Sequence, residues 1–189
     1  IYDAWSSGKG QQNIRLLLEP VEQYSLFDEY IHVDADASKV EKVMDAVCRK
    51  ISPQFYRELV YTSMAYEENV LDNMYRCMVL GFAYGNRALE MVQYRDIMIN
   101  NQIRTRLSKE INRFQEFIRF HKIDGDVYVA LFEPKSRIAA ALGHIFEDRM
   151  PSEHWMIIDD VHREAVVHPK DEHFYMRKLN EYEFERLLS

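Results

Sequence analysis

Cysteine is scarce in this chain, and the two copies present exclude several roles. Cys48 and Cys77 both sit inside helical patterns, with no Cys-x-x-Cys or Cys-His spacing nearby. A disulfide framework and a zinc knuckle are therefore excluded, and two reduced, buried thiols are expected. Five prolines and six glycines in 189 residues are too few for a low-complexity or disordered chain. No apolar run approaches the roughly 18 residues that a membrane span needs. Nor does the chain open on a charged n-region followed by an apolar h-region, so a cytoplasmic location and no membrane partner are expected. It begins at Ile1 rather than at methionine, inside an apolar-polar pattern, and an N-terminal piece is expected to be missing.

The common catalytic signatures are lacking as well. There is no Gly-x-Ser-x-Gly elbow, and neither cysteine has a neighbouring histidine to activate it. Ser7-Gly8-Lys9-Gly10 is glycine-rich and basic but lacks the spacing of a phosphate-cradling loop. No Cys-x-x-x-Cys-x-x-Cys run is present to hold an iron–sulfur cluster, and no cofactor is expected.

What the chain does have is apolar and aromatic mass. Apolar residues make up 47%, with twelve Tyr and ten Phe, enough for one sizeable core and a single domain over residues 1–189. The first half reads as helical. Ser38-x-x-Glu41 has capping-box spacing for a helix to about Lys50. Ser52-Pro53 supplies an N-cap and a first-turn proline for a second helix, to about Tyr66. A third covers Glu67 to Tyr84, with Gly85 as its stop. The longest runs from Asp96 to about Phe117, where Ile103, Leu107, Ile111, Phe114 and Ile118 recur at three-and-four spacing.

Strand signals dominate the second half. Tyr30-Ile31-His32-Val33 is an early isolated one. Arg119–Ile123 and Val127–Phe132 flank Asp124-Gly125, a dipeptide suited to the positive φ of a tight type I′ turn. Ser136 is placed to cap a helix carrying Ile138, Leu142 and Phe146. Trp155–Ile158 and Ala165–His168 follow, joined by a charged turn at Asp159–Arg163, and a short amphipathic helix, Glu181–Leu188, closes the chain. The order predicts an α+β fold: a small antiparallel sheet built from C-terminal hairpins and covered by helices mostly from the first half.

The net charge of −7 is unevenly spread. Residues 104–146 carry eight basic and five acidic side chains, while the flanking segments are each acidic by five. On the long helix Arg106, Lys109 and Arg113 share a polar face, with Arg104 and Arg119 nearby. This basic helix is the candidate surface for nucleic acid or a protein partner, because screening confines charge interactions to about 8 Å and lets a local patch act inside an acidic chain. Arg113-Phe114, Phe117 and Arg119-Phe120 add aromatic rings for stacking. A competing chemistry comes from the histidines. Glu133, His144, Asp159 and His162, if they converge, supply oxygen and nitrogen donors for metal-dependent or acid/base catalysis on nucleic acid or nucleotides. No spacing in the chain matches a tetrahedral zinc pattern, so no metal ligand is assigned.

The block Arg113-Phe114, Phe117, Arg119-Phe120, Asp124-Gly125, Tyr128, Glu133-Pro134, Phe146, Arg149, Trp155, Ile157 and Asp159, with Leu16–Asp34 and Leu80–Gly85 upstream, resembles a bacterial family described as probable DNA metabolism proteins. The resemblance covers nearly the whole chain. Members are small, sometimes fused to a uracil-DNA glycosylase-family domain, and occur beside a radical SAM protein of DNA modification or repair. The resemblance thus implies a pathway, and an accessory role that binds DNA or the radical SAM partner, without implying a reaction. The chain departs from the family pattern at Asn112 and Ile145, where histidines are expected.

Overall fold

A computed structural model of the chain describes every residue except Glu22, Asp124, Tyr182 and 185–189. The described residues fall into two compact units, Ile1–Thr105 and Arg106–Ser189.

The first unit is helical: α1 Tyr2–Ser6, α2 Ala37–Lys50, α3 Pro53–Ser63, α4 Val70–Tyr84 and the opening turns of α5, Arg95–Phe117, with short 3-10 turns at Gln11–Asn13 and Gly85–Glu90. The starts of α2 and α3 follow capping chemistry. The Ser52 hydroxyl accepts the Phe55 N–H at 2.9 Å, with Pro53 in the first turn. At α2 the cap is Asp36 rather than Ser38: its carboxylate accepts from the Ser38 and Lys39 N–H groups at 2.8 and 3.2 Å. Both residue types cap well, but Asp36 has extended backbone and a charged acceptor, so it satisfies two orphan amides at once. Val47, Phe55, Leu59, Cys77 and Met78 form the core of this unit. Gly81 lets α4 press against α3, since a Cβ there would stand 2.6 Å from the Phe55 ring.

The strand expected at Tyr30–Val33 does not form. Residues 14–36 run as an irregular strap with no helix or strand among those described. A single β-prone stretch has no neighbouring ladder to take its N–H and C=O groups, and local propensity cannot supply one. The strap is held at its root instead, by Arg76 donating to the Gln11 and Ile14 carbonyls and by the Leu16 N–H on Asp72 at 2.9 Å.

The second unit carries the remainder of α5, a five-stranded sheet and α6, Ala139–Arg149. The strands are β1 His121–Ile123, β2 Val127–Phe132, β3 His154–Asp159, β4 Glu164–His168 and β5 Tyr175–Lys178, in that spatial order. The class is α+β, with the helices mostly in the first half. The sheet, however, is mixed rather than antiparallel throughout, because β2 and β3 pair in parallel through the α6 crossover. The other three pairings are antiparallel.

Gly143 seats α6 on the sheet. A Cβ at that position would meet Val166 at 2.9 Å and Phe174 at 3.0 Å. Ser136 does not cap α6; Glu110 of α5 accepts the Lys135 and Ser136 N–H groups ahead of it, at 2.7 and 3.3 Å. On one sheet face Ile158, Ala165, Leu179 and Phe184 pack together. In the β1–β2 connection Ile123 pairs with Val127, so three residues intervene, and the positive φ values fall at Gly125 and Asp126. Asp124 itself, and most of the final helix expected at Glu181–Leu188, lie outside the described residues.

Candidate functional site

α5 has one oily and one wet flank, as its spacing requires. Ile103, Leu107 and Ile111 are buried, while Lys109, Arg113 and Phe117 are exposed. Arg113 and Phe117 stand four residues apart and so share a face. Past the helix end Arg119 turns back and donates Nη1 to the Glu116 and Ile118 carbonyls, both at 3.2 Å. A cation there satisfies carbonyls that a helix C-terminus leaves unpaired and opposes the negative end of the dipole.

The turn brings Arg119 and His121 alongside Arg113 at a cavity of about 340 Å³. Its floor is the edge-to-face pair Phe114–Phe132, with ring centroids 5.1 Å apart. Phe117 and Leu131 form the lip and are 65% and 43% exposed. Among the described residues, no carboxylate lines the cavity. It therefore offers two guanidinium groups and an imidazole for phosphate oxygens, beside an uncovered ring for a flat base.

The other basic candidates have different surroundings. Arg104 lies in the first unit and pairs with Glu58 at 3.2 Å. Arg106 is exposed on α5 and engaged in an interaction of its own. Lys109 is exposed one turn before Arg113.

A second constellation sits at the β3–β4 turn. Asp159, the last residue of β3, has a fully buried side chain. One of its oxygens accepts the His162 N–H at 2.9 Å, and the other lies 2.7 Å from His162 Nδ1. Register places Glu164 directly across from Asp159. One ligand atom each from Asp159, His162 and Glu164 lie within 4.8 Å of one another. Arg137, entering α6, closes on Glu164 at 3.4 Å. Chemically this is an imidazole oriented by a buried carboxylate, with a second carboxylate beside it. Such a set has the donors for a general base or for a divalent cation.

Of the four sequence candidates for that chemistry, Asp159 and His162 come together. Glu133 is exposed just past β2, and His144 is exposed on α6 with its ring edge-on to Phe174 at 4.8 Å. His168 and His154 serve local structure. His168 stacks on Trp155 at 4.7 Å and bonds the Glu153 carbonyl, and His154 accepts the Lys170 N–H. Sequence reading missed Glu164, His121 and Leu131 as site residues. A signal for Glu164 existed, because a turn closing Asp159 to Arg163 puts position 164 opposite 159. His121 and Leu131 become neighbours only through the β1–β2 pairing.

Residues 68–188 match the model of a family described as a domain of unknown function, DUF4130. No match is found among curated proteins.

Proposed function

For a chain that belongs to the DUF4130 domain-of-unknown-function family, we propose a nucleic-acid-binding accessory role in bacterial DNA repair or modification. The groove of the second unit holds a single-stranded segment, and the chemistry belongs to a partner enzyme such as a radical SAM protein. One observation carries the reading. Arg113, Arg119 and His121 converge on a cavity that has no carboxylate among its described lining residues and whose lip is an exposed phenylalanine. Guanidinium groups fit phosphate bidentately, and an uncovered ring stacks any base without selecting its sequence. The resemblance to probable DNA metabolism proteins supports the pathway, and the basic balance of residues 104–146 supports a polyanionic ligand.

The test separates stacking from charge. Anisotropy titration with a single-stranded oligonucleotide and the matching duplex is predicted to favour the single strand. Phe117→Ala is expected to weaken single-strand binding about fivefold or more, the loss of one stacked base. Equal affinity for both forms, unchanged by Phe117→Ala, removes the groove from the account.

A second reading has its own observation. The grouping of Asp159, His162 and Glu164 supports a metal-dependent or acid/base enzyme acting on nucleic acid or nucleotides. Calorimetric titration with Mn²⁺ and Zn²⁺ tests it. Stoichiometric binding abolished by His162→Ala supports the enzyme reading, whereas heat indistinguishable from dilution opposes a metal there.

A further inference from the structure

The two most exposed large apolar side chains among the described residues are neighbours: Leu26 at 95% and Phe27 at 96%. They form a turn at the tip of the 14–36 strap. Single exposed apolar residues are ordinary, but an adjacent Leu-Phe pair standing wholly in water is not. The turn is braced. Tyr30 reaches across it, its hydroxyl accepting the Ser25 N–H at 2.8 Å, and its ring meets Tyr24 edge-on at 4.7 Å. The Ser25 hydroxyl in turn accepts the Phe27 N–H at 3.4 Å. Bracing on the inside with the anchors outside lowers the ordering cost of binding. Three residues before Leu26 stands Gln23, exposed, with an amide able to donate and accept.

Charge narrows the occupant. Between Arg15 and Lys39 there is no Lys or Arg, while Glu19, Glu22, Asp28, Glu29, Asp34 and Asp36 are all acidic. Lys9 pairs with Glu29, and His32 sits between Glu19 and Asp34 at 2.6 and 3.2 Å, which leaves the segment strongly negative. A second copy of the same strap is thereby repelled. A partner protein with cations around an apolar cleft is attracted.

We propose that Gln23-Tyr24-Ser25-Leu26-Phe27 is a linear docking motif, which seats Leu26 and Phe27 side by side in an apolar peptide cleft of a basic-rimmed partner protein while the Gln23 amide bonds its lip. The motif lies in the first unit and uses no groove residue, so it stands or falls separately from nucleic-acid binding. The probe is a purified bacterial DNA-polymerase processivity clamp, a ring whose peptide cleft takes a glutamine and two adjoining apolar side chains at this spacing. The whole 189-residue chain is titrated against it without DNA, beside a Leu26→Ala/Phe27→Ala double variant and a Gln23→Ala variant. Both variants alter exposed side chains, and circular dichroism checks their folding. The expected result is saturable binding, weakened at least tenfold by the double substitution and measurably by Gln23→Ala. No binding, or binding indifferent to the double substitution, overturns the proposal. So does a Leu26/Phe27-dependent dimer of the chain alone in sedimentation, because the occupant is then a second copy.

Discussion

At the scale of single residues, burial sorts the two thiols. Cys77 is fully buried, and desolvation, with a smaller contribution from Asp96, pushes its thiol up to about 12. A thiolate is the reactive form, so Cys77 is inert at ordinary pH. Thiol titration of the folded protein at pH 8 is expected to find at most Cys48 reacting promptly, with Cys77 appearing only on unfolding. Prompt reaction of both would contradict the packing around α4. The raised value also sets a sign: stability linked to Cys77 is intact below the unfolded thiol value of 9.0 and is lost as pH rises toward 12.

Glu147 runs the other way. The Phe174 N–H, bonded at 2.9 Å, and then His173 hold its carboxyl below the ordinary 4.5. Its contribution is present above that value and lost as pH falls through the lowered one. Urea midpoints of the unchanged protein and of Glu147→Gln should differ at pH 7 and converge as the pH drops below 4. A gap independent of pH would assign the effect to packing rather than charge. The same residues show what was readable in the sequence. Of the four candidates whose convergence the sequence left open, His162 and Asp159 meet because they stand three positions apart across a turn. Glu133 and His144, eleven positions apart, have different surroundings because Glu133 follows a strand and His144 rides a helix.

At the scale of elements, helices were the legible part. Ser52-Pro53, Gly85 and the three-and-four apolar rows located the start of α3, the end of α4 and both ends of α5 to within a residue, since capping and amphipathicity are local properties, while α3 ends and α4 begins three residues from the expected positions. Sheet pairing is not local. Apolar runs between turn signals identified β2, β3 and β4 but carried no information about which strands that are distant in sequence lie side by side, so the parallel β2–β3 pair went unread. β5 was missed because all four of its residues are exposed and its pattern shows no alternation toward a core. Element contacts also make a prediction. Alanine at position 81 gains helix propensity of about 1 kcal/mol. It also forces a methyl to 2.6 Å from Phe55 and 2.8 Å from Ile51. Overpacking of that kind costs about 1–3 kcal/mol, so Gly81→Ala is expected to lower the melting temperature, and a rise would show that α3 and α4 have room to spare.

Across the full chain the net charge is −7, whereas the groove is lined by Arg113, Arg119 and His121 with no acidic side chain among its described lining residues. None of the helices with described residues is long and apolar enough to cross a membrane. The sequence made the basic helix visible; in the structure Arg104 pairs with Glu58, while Arg119 and His121 reach the cavity from beyond the helix end. If these cations meet phosphate as proposed, counterion release measures it directly. Single-strand affinity is to be followed from low to physiological salt for the unchanged chain and for Arg113→Glu with Arg119→Glu. Each phosphate neutralised contributes a log–log slope of roughly −0.7, so two or three contacts predict a slope of about −1.5 to −2 that flattens toward zero in the double variant. Binding that ignores salt, or a slope untouched by both substitutions, would contradict the account.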